Sequence, residues 1–516
     1  MELNFLNKHY FVIGGLFEDF ESNNESLQKQ YILLENNILS IYRKDIISEV
    51  IINKNNTFNL VENIADKINI VIKNENIAAA LVLPNPPEEI SESFDDIYDV
   101  YADIAIAAEN NGFDLIILDG FISILNLKAA LIAVKENTTI PTAVMLSSEK
   151  GEEAVKAMVV CSSSLGADII GFSVNDEYEK LCRTLGECRI FTKVPFMIYI
   201  DKNISENNNS KKDMMRIFNE IVENYGVSVI GINSNYGSEY INALNKSFSA
   251  IQNLNFGGIS VSSISTSSRA VNLNDYKIVG IPKINSGVFS ANEIVSEALR
   301  LLNEGADMFY VSTEKLFIKT EDELKETIET LKIYVDMPLI IDTQDICLAE
   351  SAMRIYDGKL GLHVNCKDIN SIKELIDLVQ RFGAALFISI SGDNPNESEY
   401  NNYRKNYYIA GMMSDIWRLK KHLIYRDLIL GMSVGKKGEY KSLKNIQAIL
   451  KRIHLNQNCT SFCNFTDSLS IDNDYYEKYS AFVGYVLDRG CTLFFAENGI
   501  LYLKKAIKLY REIFDI

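Results

Sequence analysis

The feature that most constrains this chain is a repeat: a short apolar, β-branched run, then an amphipathic stretch, then another run. In the first half the runs read "YFVIGG", "ISEVII", "AAALVL", "DLIILDG", "PTAVML", "ADIIGFS", "VPFMIYI" and "GVSVIGI". Each is about strand length, and unbroken hydrophobicity suits a parallel strand covered on both faces. The intervening stretches, such as "FDDIYDVYADIAIAAENNG", place apolar residues at i, i+3, i+4 and i+7, which predicts helices with one buried face. Any β-α alternation is compatible with an open doubly wound sheet. Eight units in about 250 residues favour a closed (β/α)₈ barrel.

A second series follows a Ser-rich stretch, "GGISVSSISTSSRAVN". Its runs are "YKIVGI", "ADMFYVS", "MPLIID", "LGLHVN", "AALFISIS", "DLILGMSV", "CTSFCNF" and "CTLFFAE". The expected architecture is therefore α/β, two fused (β/α)₈ TIM barrels at residues 1–255 and 275–516, with 256–274 as a linker. "LGAD" and "EGAD" mark helix-to-strand corners where Gly supplies the left-handed C′ position.

Charge and cysteine usage narrow the function classes. The formal net charge of −18, with no basic stripe, argues against nucleic acid and against an anionic membrane surface. The first residues lack a basic region followed by a long apolar run, and no run is long enough to span a bilayer. The eight cysteines are scattered without a C-x-x-C pair, which predicts reduced thiols in a cytoplasmic protein rather than a disulfide framework or a ready-made thiolate zinc site.

In barrels the chemistry sits on the loops after the strands. The candidates there are Asp119, Ser173 to Asp176, Ile232 to Gly237, Asn285, Ser312, Asp342, His363 to Asn365, Asp427 and Asn464. Each also has a plain structural reading. Asp342 in "IDTQD" suits a helix N-cap, Asn464 a turn, and His363, on an apolar run, a satisfied core position.

At these residues the chain resembles the first two modules of cobalamin-dependent methionine synthase, a homocysteine-binding barrel followed by a pterin-binding barrel. "NTF" (Asn56, Thr57 and Phe58) is similar to the family's "T-N-T-F" strand end, and "NGFDLIILDG" to its "G-x-D-x-x-x-x-E-T", with Asp119 where the family has Glu. "LGADIIGFSVN" and "YGVSVIGINSNYGSEYINAL" look like the two loops that carry the family's zinc cysteines. In the second half, "KIVGIPKIN" looks like "I-I-G-E-R-I-N", retaining Asn285, and "MPLIIDT" looks like "x-P-L-S-I-D-S", retaining Asp342. "TSFCNFT" looks like "x-G-L-S-N-V-S", retaining Asn464, and "YRDLIL" aligns Asp427 with a further family aspartate. "LHVN" leaves His363 or Asn365 where the family has Asn.

Where the family holds zinc on three cysteines, this chain reads Ser173-Val174-Asn175-Asp176 and Asn233-Ser234-Asn235, so zinc is not expected. Tyr310 and Ser312 stand where the family has Asp and Asn, and read as losses. The resemblance implies a methyltransferase module of one-carbon metabolism. Its second barrel would bind methyl-tetrahydrofolate or a related pterin through Asn285, Asp342, His363, Asn365, Asp427 and Asn464. Asn56, Thr57, Asp119, Asn175 and Asn233 would line the first mouth. No cobalamin-binding module is recognised, so a corrinoid would arrive on another chain. Two alternatives stand beside this: a non-catalytic scaffold or regulatory relative that kept the fold, and a metal-free small-molecule enzyme reusing the barrel mouths.

Overall fold

The computed structural model describes residues 11–14, 38–42, 47, 50–51, 57–71, 78–91, 93–147, 151–174, 178–200, 220–221, 224–232, 260–366, 372–390, 427–433, 460–464, 483–488 and 490–514. The chain divides into two compact units, Met1–Ser260 and Val261–Ile516. Both are α/β with TIM-barrel-like parallel sheets.

In the first unit, the strands are β1 (Phe11–Gly14), β2 (Ile38–Tyr42), β3 (Ala78–Leu83), β4 (Leu115–Leu118), β5 (Thr142–Ser147), β6 (Ile169–Val174), β7 (Phe196–Ile200) and β8 (Val227–Ile232). Each pairs in parallel with its neighbour in sequence, and β1 also pairs with β8. The described helices are α1 (Thr57–Val71), α2 (Phe94–Asn110), α3 (Ile124–Asn137), α4 (Glu152–Ser164) and α5 (Tyr178–Arg189). Inward residues Ala80, Val82, Leu115, Ile117, Ala143, Met145, Ile169, Met197, Tyr199 and Val229 form one cluster that fills the ring. The filling is tight at β6, where a β-carbon on Gly171 would collide with Met145 and Met197.

One expected strand is misplaced. In "ISEVII" the described residues Ile47, Val50 and Ile51 are helical, and β2 is instead "ILSIY". The i, i+3 pair Ile47 and Val50 is buried, so this apolar run serves a helix face. A short apolar run does not by itself distinguish the two periods.

The second unit opens with an antiparallel hairpin, β9 (Ser263–Ser265) and β10 (Ala270–Asn272). This lies within the 256–274 stretch expected to be a linker. Its serines are not flexible filler. Ser263 and Ser265 are buried, Ser265 N–H donates to the Lys359 carbonyl, and Ile264, Val271 and Leu273 join the barrel core. Thr492 Oγ1 donates to the Leu273 carbonyl and Thr460 Oγ1 to Ser262 Oγ. All of these partners precede strands, so the hairpin closes the N-terminal end of the sheet.

The remaining strands are β11 (Lys277–Gly280), β12 (Met308–Ser312), β13 (Leu339–Asp342), β14 (Gly361–Cys366), β15 (Ala385–Ile390), β16 (Leu428–Ser433), β17 (Ser461–Asn464) and β18 (Leu493–Ala496). They pair in parallel in sequence order, and β11 also pairs with β18. The described helices are α6 (Ala291–Glu304), α7 (Glu321–Tyr334), α8 (Ile346–Ile355), α9 (Lys373–Phe382) and α10 (Ile500–Phe514). Ser290 caps the start of α6, and Gly305, at φ 95°, ends it in the left-handed region that "EGAD" anticipates. α7 carries a capping box from Thr320 and Glu323.

Candidate active site

The C-terminal strand ends of the second unit gather the polar residues. Strand pairing sets Ser312 beside Asp342, Asp342 beside His363, and Asn365 beside Ser389, across four consecutive strands. Because strand side chains alternate, Tyr310, Ser312, Asp342, His363, Asn365 and Ser389 share the inward face. Beneath them the interior is aromatic. Phe387, Phe462 and Phe495 are fully buried, and His363 meets Phe462 edge-on at 5.8 Å between ring centres.

His363 is the hub. Its Nδ1 lies 2.9 Å from Asp342 Oδ1 and 2.8 Å from Tyr310 Oη, and its Nε2 lies 2.8 Å from Ser389 Oγ. An ionised carboxylate only accepts, so Nδ1 carries the proton and donates to Asp342. Nε2 bonds the Ser389 hydroxyl, accepting from it in a neutral ring and donating to it in a charged one, and in either case the Tyr310 hydroxyl is left to donate to the Asp342 carboxylate. Burial pushes the Asp342 carboxyl up, but the hydrogen bond and the positive charge of His363, with further hydrogen bonds from Tyr310 and Ser312, outweigh it and hold Asp342 below the usual carboxylate range. Burial, reinforced by the neighbouring Asp342 charge, pushes the Tyr310 phenol well above its ordinary value. Asp342 is therefore an anion at neutral pH, 18% exposed at the barrel mouth, and backed by groups that are almost wholly buried.

The expected pterin-site residues divide. Asp342 and His363 are brought together. Asn365 is exposed two residues beyond His363 on the same strand face, and Asn464, 8% exposed, closes β17. Asp342 is not a helix cap, because Asp345 caps α8 through the Cys347 and Leu348 amides. Asn464 is a strand residue rather than a turn residue. The structural reading of His363 is correct as to place: it is 2% exposed with both ring nitrogens bonded. Asn285 is exposed in the loop after β11, its amide held by Glu293 Oε1 at 2.8 Å.

Asp427 is a correction. It precedes β16 and so lies at the opposite, N-terminal end, where it pairs with Lys359 in an ion pair buried on both sides. The inward positions of β16 include Ile429 and Gly431, and a β-carbon on Gly431 would collide with the Phe462 carbonyl oxygen. The strand itself, "LILGMS", holds no acidic residue and so brings no carboxylate to the mouth. Two residues read as losses, Tyr310 and Ser312, belong to the cluster. Ser389 is not among the sequence candidates; its position two residues after Phe387 sets it on the inward face once the fold orients Phe387.

In the first unit, Asp119 follows β4, half-buried, with its amide donating to the Leu83 carbonyl at 2.9 Å. Thr57 is the buried first residue of α1. Asn56, Asn175 and Asn233 lie outside the described residues. Of the residues standing in the two loops where the family has its zinc cysteines, Ser173 and Val174 are described. Ser173 offers a half-buried hydroxyl on β6, and the described cysteines of this unit, Cys161, Cys182 and Cys188, lie on α4 and α5. Burial pushes the Cys188 thiol up to about 12, far from the thiolate that zinc requires. Among the described residues, no group of three His, Cys, Asp or Glu is placed to hold a metal ion. Nor is any described helix long and apolar enough to cross a membrane.

A family model described as homocysteine S-methyltransferase matches residues 42–248, less than half of the chain. No curated protein matches. Solved structures similar to the chain include a dihydropteroate synthase of Xanthomonas albilineans in complex with indole-2-carboxylic acid and 6-chloroguanine. It is 14% identical, covers 50% of this chain and 98% of its own, and has a TM-score of 0.38. The dihydropteroate synthase of Coxiella burnetii in complex with pteroic acid is 14% identical over 49% of this chain and 98% of its own, at 0.37. The 7,8-dihydropteroate synthase of Vibrio fischeri is 13% identical over 49% and 98%, at 0.38. Likenesses this weak carry no weight in the functional reading.

Proposed function

We propose that the chain is a methionine synthase-like methyltransferase module of one-carbon metabolism, built as two fused (β/α)₈ barrels. The second barrel binds methyl-tetrahydrofolate or a related pterin at its mouth. The first keeps the frame of a homocysteine domain without its zinc. The observation that carries this reading is the Asp342 carboxylate, held ionised at the strand ends over an aromatic interior. A pterin ring presents an amide N–H and an amino group side by side, and a carboxylate accepts from both at once. Exposed Asn365 supplies a carboxamide beside it. The homocysteine S-methyltransferase match over residues 42–248 supports the reading of the first half.

In this reading the folate supplies the methyl group, and a corrinoid protein in trans accepts it. The protein orients the ring and limits its contact with water. Asp342 fixes the pyrimidine edge, and the buried cluster behind it keeps the carboxylate from rotating. No step runs through a metal in the first barrel.

The test is calorimetric titration with methyl-tetrahydrofolate, run beside Asp342→Ala. Micromolar binding that disappears in the variant supports the proposal, and absence of folate binding in the intact protein rejects it. The second reading, a non-catalytic relative, is favoured by the loop Ser173-Val174-Asn175-Asp176, which has no cysteine where the family carries one. Tightly held stoichiometric zinc, measured by elemental analysis, would count against both.

A further inference from the structure

The residues that depart from the family pattern around Asp342 are not scattered. Tyr310, Ser312 and His363 come from two different strands flanking β13, and all three hydrogen-bond to the one carboxylate. Ser389, from a third strand, bonds the far side of the imidazole. Side chains that had simply drifted after a site was abandoned would not be expected to close on one acidic group with every donor used. From the distances alone, Asp342, His363 and Ser389 match a nucleophile triad. Ser389 is only 1% exposed, however, within a strand paired on both sides, so a substrate carbonyl has no approach to its hydroxyl.

We propose that Tyr310, Ser312 and His363, with Ser389 behind, form a positioning cage that presents the Asp342 carboxylate to ligands bearing paired N–H donors at the second barrel's mouth. This rests on the reading of that mouth as the ligand site. Tyr310 and His363 act through Asp342, and their depth keeps them from touching ligand themselves. Such a cage fixes a carboxylate's direction before a ligand arrives, which lowers the ordering cost of binding. The other groups at inward positions around Asp342 include Val279 on β11, Ile429 and Gly431 on β16, Asn464 on β17 and Phe495 on β18. Among the described residues, charged groups follow the strand ends at Lys283 after β11, Glu314 and Lys315 after β12, Asp345 after β13 and Glu497 after β18.

The test reads the carboxyl directly. Protein labelled with ¹³C at the aspartate carboxyl is titrated from pH 4 to 7 by NMR, the Asp342 resonance being identified by its loss in Asp342→Asn. In the intact protein that resonance should be flat from pH 7 to 5 and bend, at most, near the lower end of the window, since the carboxyl is held below its usual range. His363→Phe removes the largest of the opposing interactions and leaves burial opposed only by Tyr310 and Ser312, so the resonance should titrate inside this window. Tyr310→Phe, which deletes a single oxygen and keeps the ring, should show a smaller upward movement. His363→Gln, which retains a donor, should recover part of the flat profile. If His363→Phe does not fold, Tyr310→Phe decides alone. A resonance as flat in the folded variants as in the intact protein overturns the cage. Methyl-tetrahydrofolate titrated into the same samples separates the two ideas. A cage seen by NMR without folate binding in the intact protein upholds the positioning network and rejects the folate reading.

Discussion

Replacing Lys359 by Met should expose how much of the second unit's stability depends on one buried charge pair. Lys359 is 1% exposed and Asp427 4% exposed as side chains, beneath the β9–β10 hairpin. Met keeps most of the lysine's volume and apolar stem but removes the cation facing Asp427. Breaking a buried pair from one side costs about 3–5 kcal/mol, because the remaining charge stays in a medium that solvates it poorly. For a unit of this size each kcal/mol moves the melting temperature by about 2–4 °C, so a loss of about 6–20 °C is expected. The double variant Lys359→Met/Asp427→Leu should regain most of that loss, since apolar replacement of a whole buried pair is close to neutral. Differential scanning calorimetry of the full chain resolves the affected transition, and the first unit's transition serves as an internal control. A single variant that costs under about 1 kcal/mol, as solvated pairs do, would refute the argument.

Three further outcomes follow from the same reasoning. Gly431→Ala should lower the second unit's melting temperature by the equivalent of about 1–3 kcal/mol, because the added methyl collides with the Phe462 carbonyl. Arg189→Lys should destabilise the first unit by about 2 kcal/mol or more, measured by urea unfolding: the guanidinium bonds the carbonyls of Thr192, Val194, Tyr225 and Gly226 while covering the Phe196 ring, and an ammonium cannot span that set. Asp342 is held below its ordinary value, so its contribution to stability is complete above the unfolded value of about 3.9 and is lost as pH falls through the lower folded value. The stability difference between the intact protein and Asp342→Asn, measured by chemical denaturation, should therefore be constant from pH 7 to 5 and shrink below pH 4.

The strand series was legible because parallel strands covered on both faces leave an unbroken apolar signature, as "DLIILDG" and "AALFISIS" do. It fails at "ISEVII", where a run of strand length forms one face of a helix, and the strand is "ILSIY" instead. The Ser-rich hairpin was misread for a related reason: composition registers serine as polar, and only the fold shows Ser263 and Ser265 buried and bonded. Within the site, Asp342 could be found because it ends its apolar run. Asp427 misleads because it stands just before its run, and an acid ahead of a strand lies at the other end of a barrel. Tyr310 and Ser389 were beyond reach of a residue-by-residue reading, since their roles depend on the register between neighbouring strands.

The most direct measurement is a difference electron-density map from crystals of the full chain soaked with methyl-tetrahydrofolate. The account predicts ring density at the C-terminal mouth of the second barrel, its donor edge within hydrogen-bond distance of the Asp342 carboxylate. Ring density elsewhere on the chain, or none at that mouth in crystals where it is open to solvent, would contradict it.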